Sequence, residues 1–260
     1  MSTGTGRPHL SVVIPAYNEE ERLDASLPRI DDYLRERELD AEIVVVDDGS
    51  SDATARIAGS FLSGRRGRVL PTPDNRGKGH AVRSGVLAAA GRWILITDAD
   101  LSTPIEEHAK LAAIVRDRDL DGAIGSRGLP DSQVEVHQVF PRELMGKTFN
   151  RLVRALTGLT YHDTQCGFKL LDRERTRPLF ERMVVDRFAY DVELLFLSTR
   201  FGLQVEEVPV IWRNDPRTTV SPLTDAPRML LDVIRVRWRF RRGLYNPTEP
   251  SGAGGVRGAS

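Results

Sequence analysis

A single stretch, RWILITDAD at residues 92–100, decides the fold class of this chain. Its apolar centre is typical of a buried strand, and the strand ends on two acids, Asp98 and Asp100, separated by one small residue. In an open α/β sheet, ligands bind where strands end. Two carboxylates there, with no nearby base to neutralise them, indicate a divalent cation whose shell is completed by substrate phosphates. A surface turn rich in Asp is the alternative interpretation of an isolated Asp-x-Asp.

Two further apolar runs end on polar residues in the same way. The run at residues 42–46 ends on Asp47 and Asp48, and the run at residues 10–14 is followed by Pro15-Ala16-Tyr17-Asn18-Glu19. Gly49 permits a tight turn after the acids, and residues 50–52 can cap the helix that follows. Three strands that end on polar residues at one edge of a sheet predict a binding site.

Strand and helix patterns alternate along the first half of the chain. The predicted strands span residues 10–14, 43–46, 68–70, 94–97, 122–126, 164–171 and 204–210, and the predicted helices span 19–38, 52–62, 79–90, 103–116, 142–156, 192–200 and 225–244. Thr103, Pro104 and Glu106 have the spacing of a helix-capping box. Residues 127–141 are polar and aperiodic, which predicts a long loop. The alternation predicts an α/β fold: a mixed, mainly parallel sheet with helices on both faces and a Rossmann-like nucleotide-binding half.

Length and composition limit the class of protein. The 260 residues carry 37 basic and 37 acidic side chains, so the bulk charge does not indicate nucleic acid binding. The only cysteine is Cys166, which excludes an internal disulfide and fits a reducing compartment. Residues 1–8 lack the apolar core of a signal peptide, and no apolar stretch reaches the ~20 residues that span a bilayer. The histidines lack paired spacing, so no zinc site is predicted. We therefore expect a cytoplasmic protein.

Two glycine-containing segments carry candidate site residues. Gly77-Lys78-Gly79 opens a helix, but the third glycine of a dinucleotide-binding motif is replaced by Val82, so we interpret it as a glycine turn. Lys78 can face a nucleotide phosphate from there. The segment at residues 163–169 contains two catalytic candidates, Asp163 and Gln165. Asp163 can be a general base, a positioning carboxylate or a turn former. Its Cys166 is expected to be a buried small residue.

The last predicted helix alternates apolar and basic residues. Its apolar residues are Met229, Leu230, Val233, Ile234, Val236, Trp238 and Phe240, and its arginines are Arg228, Arg235, Arg237, Arg239, Arg241 and Arg242. Basic helices with Trp and Phe can lie in a membrane interface, and packing on the domain with the arginines in water is the alternative. We predict four segments: a flexible N-terminus at 1–8, a catalytic domain at 9–224, an amphipathic basic helix at 225–245 and a disordered tail at 246–260.

Several ordered motifs together resemble family-two glycosyltransferases of the GT-A fold. The general motifs are residues 12–20 (VVIPAYNEE) and 45–50 (VVDDGS). The narrower set resembles the dolichyl-phosphate β-glucosyltransferase branch and its prokaryotic polyprenyl-phosphate relatives. That set comprises residues 75–79 (NRGKG), 98–104 (DADLSTP), 125–127 (GSR), 144–146 (LMG), 149–150 (FN), 163–169 (DTQCGFK) and 191–196 (DVELLF). The match covers roughly residues 9–245 in order.

The resemblance implies a reaction and its partners. It implies that a hexose, glucose by expectation, moves from a UDP-sugar to a polyprenyl or dolichyl phosphate with inversion at the anomeric carbon. The paired acids predict Mg²⁺ or Mn²⁺ as cofactor. Because the acceptor lies in a membrane and no spanning segment is predicted, we expect peripheral association with the cytoplasmic face of a membrane, with contact through the C-terminal helix. A homodimer is the oligomeric state we consider.

The resemblance also assigns roles to positions. The uridine is expected to be held by Pro15, Tyr17, Glu19 and Asp48. Asp98 is expected to contact the ribose or the metal, and Asp100 to bind the metal. The acceptor phosphate is assigned to Arg127 and Arg142, and the pyrophosphate to Arg213. A glutamine that binds metal in related mannosyl-phosphate synthases is Ser102 here, which leaves the third ligand open. The lysine expected six residues after Arg213 is Thr219, so either Arg217 replaces it or the contact is absent.

The chemistry supports a phosphate acceptor independently. A phosphomonoester is mostly ionised at neutral pH, because its second pKa is about 6, so it can accept the sugar without a general base. The Gln-x-x-Arg-Trp motif of processive polysaccharide synthases is absent. A sugar-phosphate nucleotidyltransferase would need a glycine-rich segment after strand one, where residues 15–18 stand instead. A mannosyl- or N-acetylhexosaminyltransferase and a non-catalytic nucleotide-sugar-binding protein are the remaining alternatives.

Overall fold

A computed structural model describes residues 6–136, 140–213 and 222–246 of the chain. Its strands are β1 (Leu10–Ala16), β2 (Ala41–Asp47), β3 (Gly67–Pro71), β4 (Trp93–Ile96), β5 (Gly122–Ser126), β6 (Gln133–Val136), β7 (Lys169–Asp172), β8 (Val205–Pro209) and β9 (Ile211–Arg213). Its α-helices are α1 (Glu20–Glu36), α2 (Thr54–Leu62), α3 (Lys78–Ala88), α4 (His108–Arg118), α5 (Phe140–Thr157), α6 (Arg173–Arg182), α7 (Tyr190–Arg200) and α8 (Pro222–Arg241). A 3₁₀ turn at Ile105–Glu107 leads into α4.

Seven strands form one mixed sheet in the order β3-β2-β1-β4-β7-β5-β8. All neighbouring pairs are parallel except those of β7, which runs antiparallel to both β4 and β5. The remaining strands, β6 and β9, pair in a small separate sheet. The prediction of a mixed, mainly parallel sheet is confirmed. The parallel strands β1, β2, β4 and β5 therefore end at the same edge.

Helices cover both faces of the large sheet because its central strands are apolar on both sides. On β1 and β2, alternate residues enter opposite cores: Val13 and Val44 pack with α3 and α5–α8, whereas Val12 and Ile43 pack with α1, α2 and α4. This alternation follows from the two-residue period of a strand. Burial on both faces holds the polar edge in a fixed frame.

Three local predictions differ from the structure. The expected strand at 164–171 is a strand only from Lys169, and helix α6 at 173–182 was not predicted. The predicted loop at 127–141 contains β6 and the start of α5. The predicted capping box is wrong, because Pro104 precedes the 3₁₀ turn without a side-chain cap and the Thr103 hydroxyl instead meets the Cys166 sulfur at 3.9 Å.

Helix α8 begins three residues before its predicted start and packs against the domain. Met229, Val233 and Val236 of α8 are buried in the core shared with α5 and α7. After the helix, the buried Tyr245 hydroxyl donates a hydrogen bond of 2.5 Å to the Glu193 carboxylate of α7. None of the helices in the described ranges is long and apolar enough to cross a membrane. The inner face of α8 is therefore part of the domain core.

Candidate active site

The acid pair lies directly after β4, as the sequence predicted. Asp98 and Asp100 lie in a tight turn that Leu101 closes, with a φ of +48° and a 3.2 Å hydrogen bond from its backbone N–H to the Asp98 carbonyl. The Ser102 backbone N–H donates a 2.8 Å hydrogen bond to Asp100 and holds its carboxylate in place. Ser102, the position of the uncertain third ligand, also reaches Asp100 through its side-chain hydroxyl.

A base does neutralise one of the two acids, which corrects the prediction. The Lys78 ammonium group at the start of α3 lies 2.6 Å from Asp98. Burial would raise the pKa of Asp98, but Lys78, Lys169 and Arg127 outweigh burial and hold this pKa below its ordinary value. Lys78, which we expected to face a nucleotide phosphate, therefore forms an ion pair with Asp98 in this structure.

The second acid keeps an excess of negative charge. Burial and the neighbouring charge of Asp98 raise the pKa of Asp100. Burial also raises the pKa of Glu19, where Asp100 and Asp98 contribute against the opposing effect of Arg22. Three carboxylates thus interact electrostatically, although within the described ranges no three Asp, Glu, His or Cys side chains converge closely enough to hold an ion alone. The carboxylates of Asp98 and Asp100, with Glu19 nearby, fit Mg²⁺ or Mn²⁺, which usually retains waters and substrate phosphates as its other ligands.

A buried layer supports the acid pair from the β7 side. Gly167 lies so close to Asp98 that a Cβ atom there would stand 2.2 Å from the Asp98 carboxylate. Two residues on, the fully buried Lys169 ammonium meets Asp191 of α7 at 2.5 Å. Sequence reasoning assigned no role to Lys169 or Asp191. The available signal was a lysine between two apolar residues of a strand, since lysine is almost never fully buried unless it is paired.

The residues expected to hold the uridine line the ends of β1 and β2. Pro15 is buried within β1, whereas Tyr17 beyond its end is 41% exposed. Asn18 adopts a φ of +52° and its amide oxygen accepts a hydrogen bond from the Ser51 backbone N–H. Glu19 forms an ion pair with Arg22 at 2.7 Å. The turn is thus shaped to present Tyr17 at the polar edge.

Asp48, which we expected to hold the uridine, is engaged within the protein. Its buried carboxylate accepts hydrogen bonds from the backbone N–H groups of Arg76 and Gly77, the latter at 2.6 Å. Gly77 has a φ of +112°, a value that favours glycine. Gly79 packs so closely against the Val185 carbonyl that a side chain would not fit. Asp48 therefore fixes the loop before α3, and the glycine turn predicted there is observed.

A clamped arginine lies on the other side of the acid pair. Arg127, directly after β5, donates to both oxygens of Asp163 through its side chain, at 2.6 and 2.9 Å, and donates again through its backbone N–H. The Trp212 ring lies over its guanidinium at 5.2 Å. Although burial raises the pKa of Asp163, Arg127 outweighs burial and brings this pKa to about 2. The Gln165 backbone N–H also donates to Asp163. Asp163 is therefore a poor proton acceptor, which favours the positioning carboxylate among our three interpretations.

The small sheet brings Arg213 to the site. The Arg213 backbone N–H donates to the Ser102 carbonyl at 2.8 Å, which places β9 beside the acidic turn. Its guanidinium pairs with Glu135 of β6 at 2.6 Å. The side chain of Arg142, although it belongs to α5, lies outside the described residues, as do Arg217 and Thr219. The structure thus unites the acid pair, Lys78, Arg127 and Arg213 at one edge of the molecule.

The sequence of this chain is similar to those of known glycosyltransferases. The profile of the family described as Glycosyl transferase family 2 matches residues 11–180. A dolichyl-phosphate beta-glucosyltransferase of Drosophila melanogaster is 36% identical over 91% of this chain and 76% of its own length. The human dolichyl-phosphate beta-glucosyltransferase is 33% identical over 91% of this chain and 77% of its own.

Solved structures share the fold at lower identity. Glucosyl-3-phosphoglycerate synthase of Mycobacterium tuberculosis in complex with UDP is 22% identical, with a TM-score of 0.65 over 88% of this chain and 80% of that one. The same enzyme in complex with Mn²⁺, UDP-glucose and phosphoglyceric acid has a TM-score of 0.61 at 22% identity, over 92% of this chain and 80% of that one. At this identity the likeness establishes the fold, and the GT-A prediction is confirmed.

Proposed function

This chain belongs to glycosyl transferase family 2, and on that premise we propose that it transfers glucose from UDP-glucose to a polyprenyl phosphate of the dolichyl phosphate type. The bond between C1 of glucose and the β-phosphate of UDP breaks, and its electron pair leaves with UDP. A bond forms between C1 and an oxygen of the acceptor phosphate on the opposite face, so the configuration inverts.

The state of Asp163 is the observation that carries the proposal. A sugar hydroxyl needs a base to become a nucleophile, but Asp163 is held by Arg127 with a pKa of about 2. A phosphate acceptor arrives ionised and needs cations to orient it rather than a base. Arg127, fixed by Asp163 and covered by Trp212, is suited to this task. We assign Arg127 to the acceptor phosphate, and Arg142 remains a predicted second contact.

The donor is assigned to the ends of β1, β2 and β4. Asp98 and Asp100 would hold Mg²⁺ or Mn²⁺, which when bound neutralises the charge that develops on the leaving diphosphate. Arg213 is assigned to that diphosphate because its backbone joins β9 to the acidic turn. Pro15, Tyr17 and Glu19 are assigned to the nucleoside. Asp48, whose carboxylate is already engaged by the loop before α3, shapes this pocket from behind in our proposal.

A donor screen tests the reaction. Purified protein is incubated with radiolabelled UDP-glucose, GDP-mannose or UDP-N-acetylglucosamine and a short polyprenyl phosphate in detergent, and lipid products are counted after extraction. We expect transfer from UDP-glucose alone, no transfer to the corresponding polyprenol without phosphate, and a β-linked product by NMR. Faster transfer from another sugar nucleotide would reassign the donor. Tight UDP-glucose binding without any transfer would identify a non-catalytic binding protein.

Helix α8 offers a surface for the membrane that carries such an acceptor. Leu231, Ile234 and Trp238 follow a helical stripe, and each is about half exposed, at 54%, 48% and 51%. Arg235, Arg241 and Arg242 are exposed beside this stripe, and Arg242 lies over the Trp238 ring at 4.9 Å. We propose that this face docks on an anionic bilayer, where each arginine contributes on the order of 1 kcal/mol. A peripheral location on the cytoplasmic face of a membrane follows from this proposal.

Two arginines of α8 are unsuitable for testing the docking. Arg237 donates to the Leu156 carbonyl, and Arg239 lies over the Tyr245 ring, so both side chains face the domain. The informative variant changes Arg235, Arg241 and Arg242 to glutamine. Its charge-matched control changes Arg35, Arg37 and Arg116, which are exposed on α1, at its end and on α4.

Vesicle sedimentation measures the docking directly. Wild-type protein and the control are expected to bind vesicles more strongly with added phosphatidylserine and less strongly with added salt. The α8 variant, folded by circular dichroism, is expected to lose most of this binding. Equal sedimentation of the α8 variant and the control would contradict docking through α8. The homodimer remains a prediction, which analytical ultracentrifugation checks.

A further inference from the structure

The Lys78–Asp98 contact points to competition within the donor site. We propose that Lys78 is an internal counter-ion for Asp98 that competes with the divalent cation and, once displaced, is available to the donor diphosphate. The inference rests on the proposed function, since it concerns the same metal and nucleotide. It predicts a definite energetic coupling between metal and UDP.

The position of Lys78 makes this exchange possible. Its Nζ atom is 2.6 Å from Asp98, while both side chains remain partly exposed, at 26% and 32%. Lys78 is the first residue of α3, and Asp48 fixes the preceding loop through the Gly77 backbone N–H. The helix start is therefore held in place, and only the lysine side chain has to move to release Asp98.

The carboxylates around Lys78 leave it one direct partner. Asp191 is already paired with the buried Lys169 at 2.5 Å. Asp100 accepts its hydrogen bond from the Ser102 backbone N–H. Asp98, at 2.6 Å, is therefore the carboxylate that the Lys78 ammonium group contacts directly. A charged ammonium group on Asp98 opposes any second cation at that carboxylate.

Binding of a divalent cation to the acid pair therefore requires Lys78 to leave Asp98. Two cations at one carboxylate repel each other at a separation of a few ångströms. Within the proposed reaction, the anion that arrives with the metal is the donor diphosphate, and a charged ammonium group is a suitable partner for it. The metal and UDP should consequently strengthen each other's binding, and this coupling is reciprocal by thermodynamic linkage.

Metal titration of the full-length chain tests the competition. Binding of Mn²⁺ alone is followed by electron paramagnetic resonance for the wild type, Lys78→Gln and Lys78→Arg, and UDP binding in excess Mn²⁺ is followed by calorimetry. Lys110→Gln is the matched control, because Lys110 is also a lysine paired with a carboxylate, Glu107, at 2.7 Å. Thermal melting of each variant verifies the fold.

The proposal predicts that replacing Lys78 changes the affinities for Mn²⁺ and for UDP in opposite directions. We expect Lys78→Gln to bind Mn²⁺ alone about tenfold more tightly than the wild type, a coupling of common size, and to bind UDP more weakly. Lys78→Arg and Lys110→Gln should resemble the wild type in their affinity for Mn²⁺ alone. Unchanged or weaker Mn²⁺ binding by folded Lys78→Gln would overturn the proposal.

The transfer assay separates this inference from the proposed function. If the wild type transfers glucose but Lys78→Gln binds Mn²⁺ with the same affinity as the wild type, only the proposed role of Lys78 is overturned. Tighter Mn²⁺ binding by Lys78→Gln, with no glucosyl transfer by the wild type, would support the competition and overturn the proposed reaction.

Discussion

The Arg127–Asp163 pair makes a quantitative prediction for Asp163→Asn. The Asp163 carboxylate receives three hydrogen bonds from Arg127, and its pKa falls from 3.8 to about 2. One pKa unit corresponds to about 1.4 kcal/mol, so the fold favours the charged carboxylate by about 2 kcal/mol. The side chain is 91% buried, since its exposed fraction is 9%, and solvent screening is therefore weak. Asp163→Asn should lower the free energy of unfolding by about this amount.

Thermal denaturation measures the loss. A change of about 2 kcal/mol in a chain of this size lowers the melting temperature by roughly 4–8 °C. Asp117→Asn is the control, because Asp117 pairs with Arg116 where both side chains are more than half exposed, and such a pair contributes at most about 1 kcal/mol. Transfer kinetics should show a raised KM for the polyprenyl phosphate and an unchanged KM for UDP-glucose.

The pH dependence of stability provides a second readout with a fixed sign. Because folding lowers the pKa of Asp163, its stabilisation is complete above the unfolded value of 3.8 and is lost as the pH falls towards about 2. The stability gap between the wild type and Asp163→Asn should therefore be constant near neutral pH and narrow below about pH 4. A melting temperature lowered no more than in Asp117→Asn, or a gap that persists at low pH, would refute this reasoning.

Three further predictions concern the donor side. Gly167→Ala should remain folded but lose UDP and Mn²⁺ affinity, since its Cβ would stand 2.2 Å from Asp98, whereas Gly146→Ala, with nothing within 4 Å, should be neutral in calorimetry. Asp100→Asn should retain the fold and lose most of the transfer rate, because a neutral amide is a poorer ligand for a hard cation; full wild-type activity in excess chelator would contradict the metal requirement. Calorimetry should show tighter binding of UDP than of GDP, and the reverse order would move the assignment towards a mannosyl transferase.

The sequence alone was sufficient for the framework of the site. Apolar runs that end on Asp48 and Asp98 predicted parallel strands with a common polar edge, and the structure shows β1, β2 and β4 in that arrangement. This works because strand burial and strand ends are local properties of the chain. Likewise, the buried state of Cys166 and the glycine turn at Gly77 followed from residue type and are observed.

Contacts between distant segments were decided only by the tertiary structure. Lys78 and Asp98 are twenty residues apart, and Arg127 and Asp163 thirty-six, so no local pattern reveals that each pair is in contact. The antiparallel insertion of β7, which brings Gly167 against Asp98, depends on packing across the whole sheet. Local periodicity therefore determined which residues reach the polar edge, whereas long-range packing and charge pairing determined their partners there.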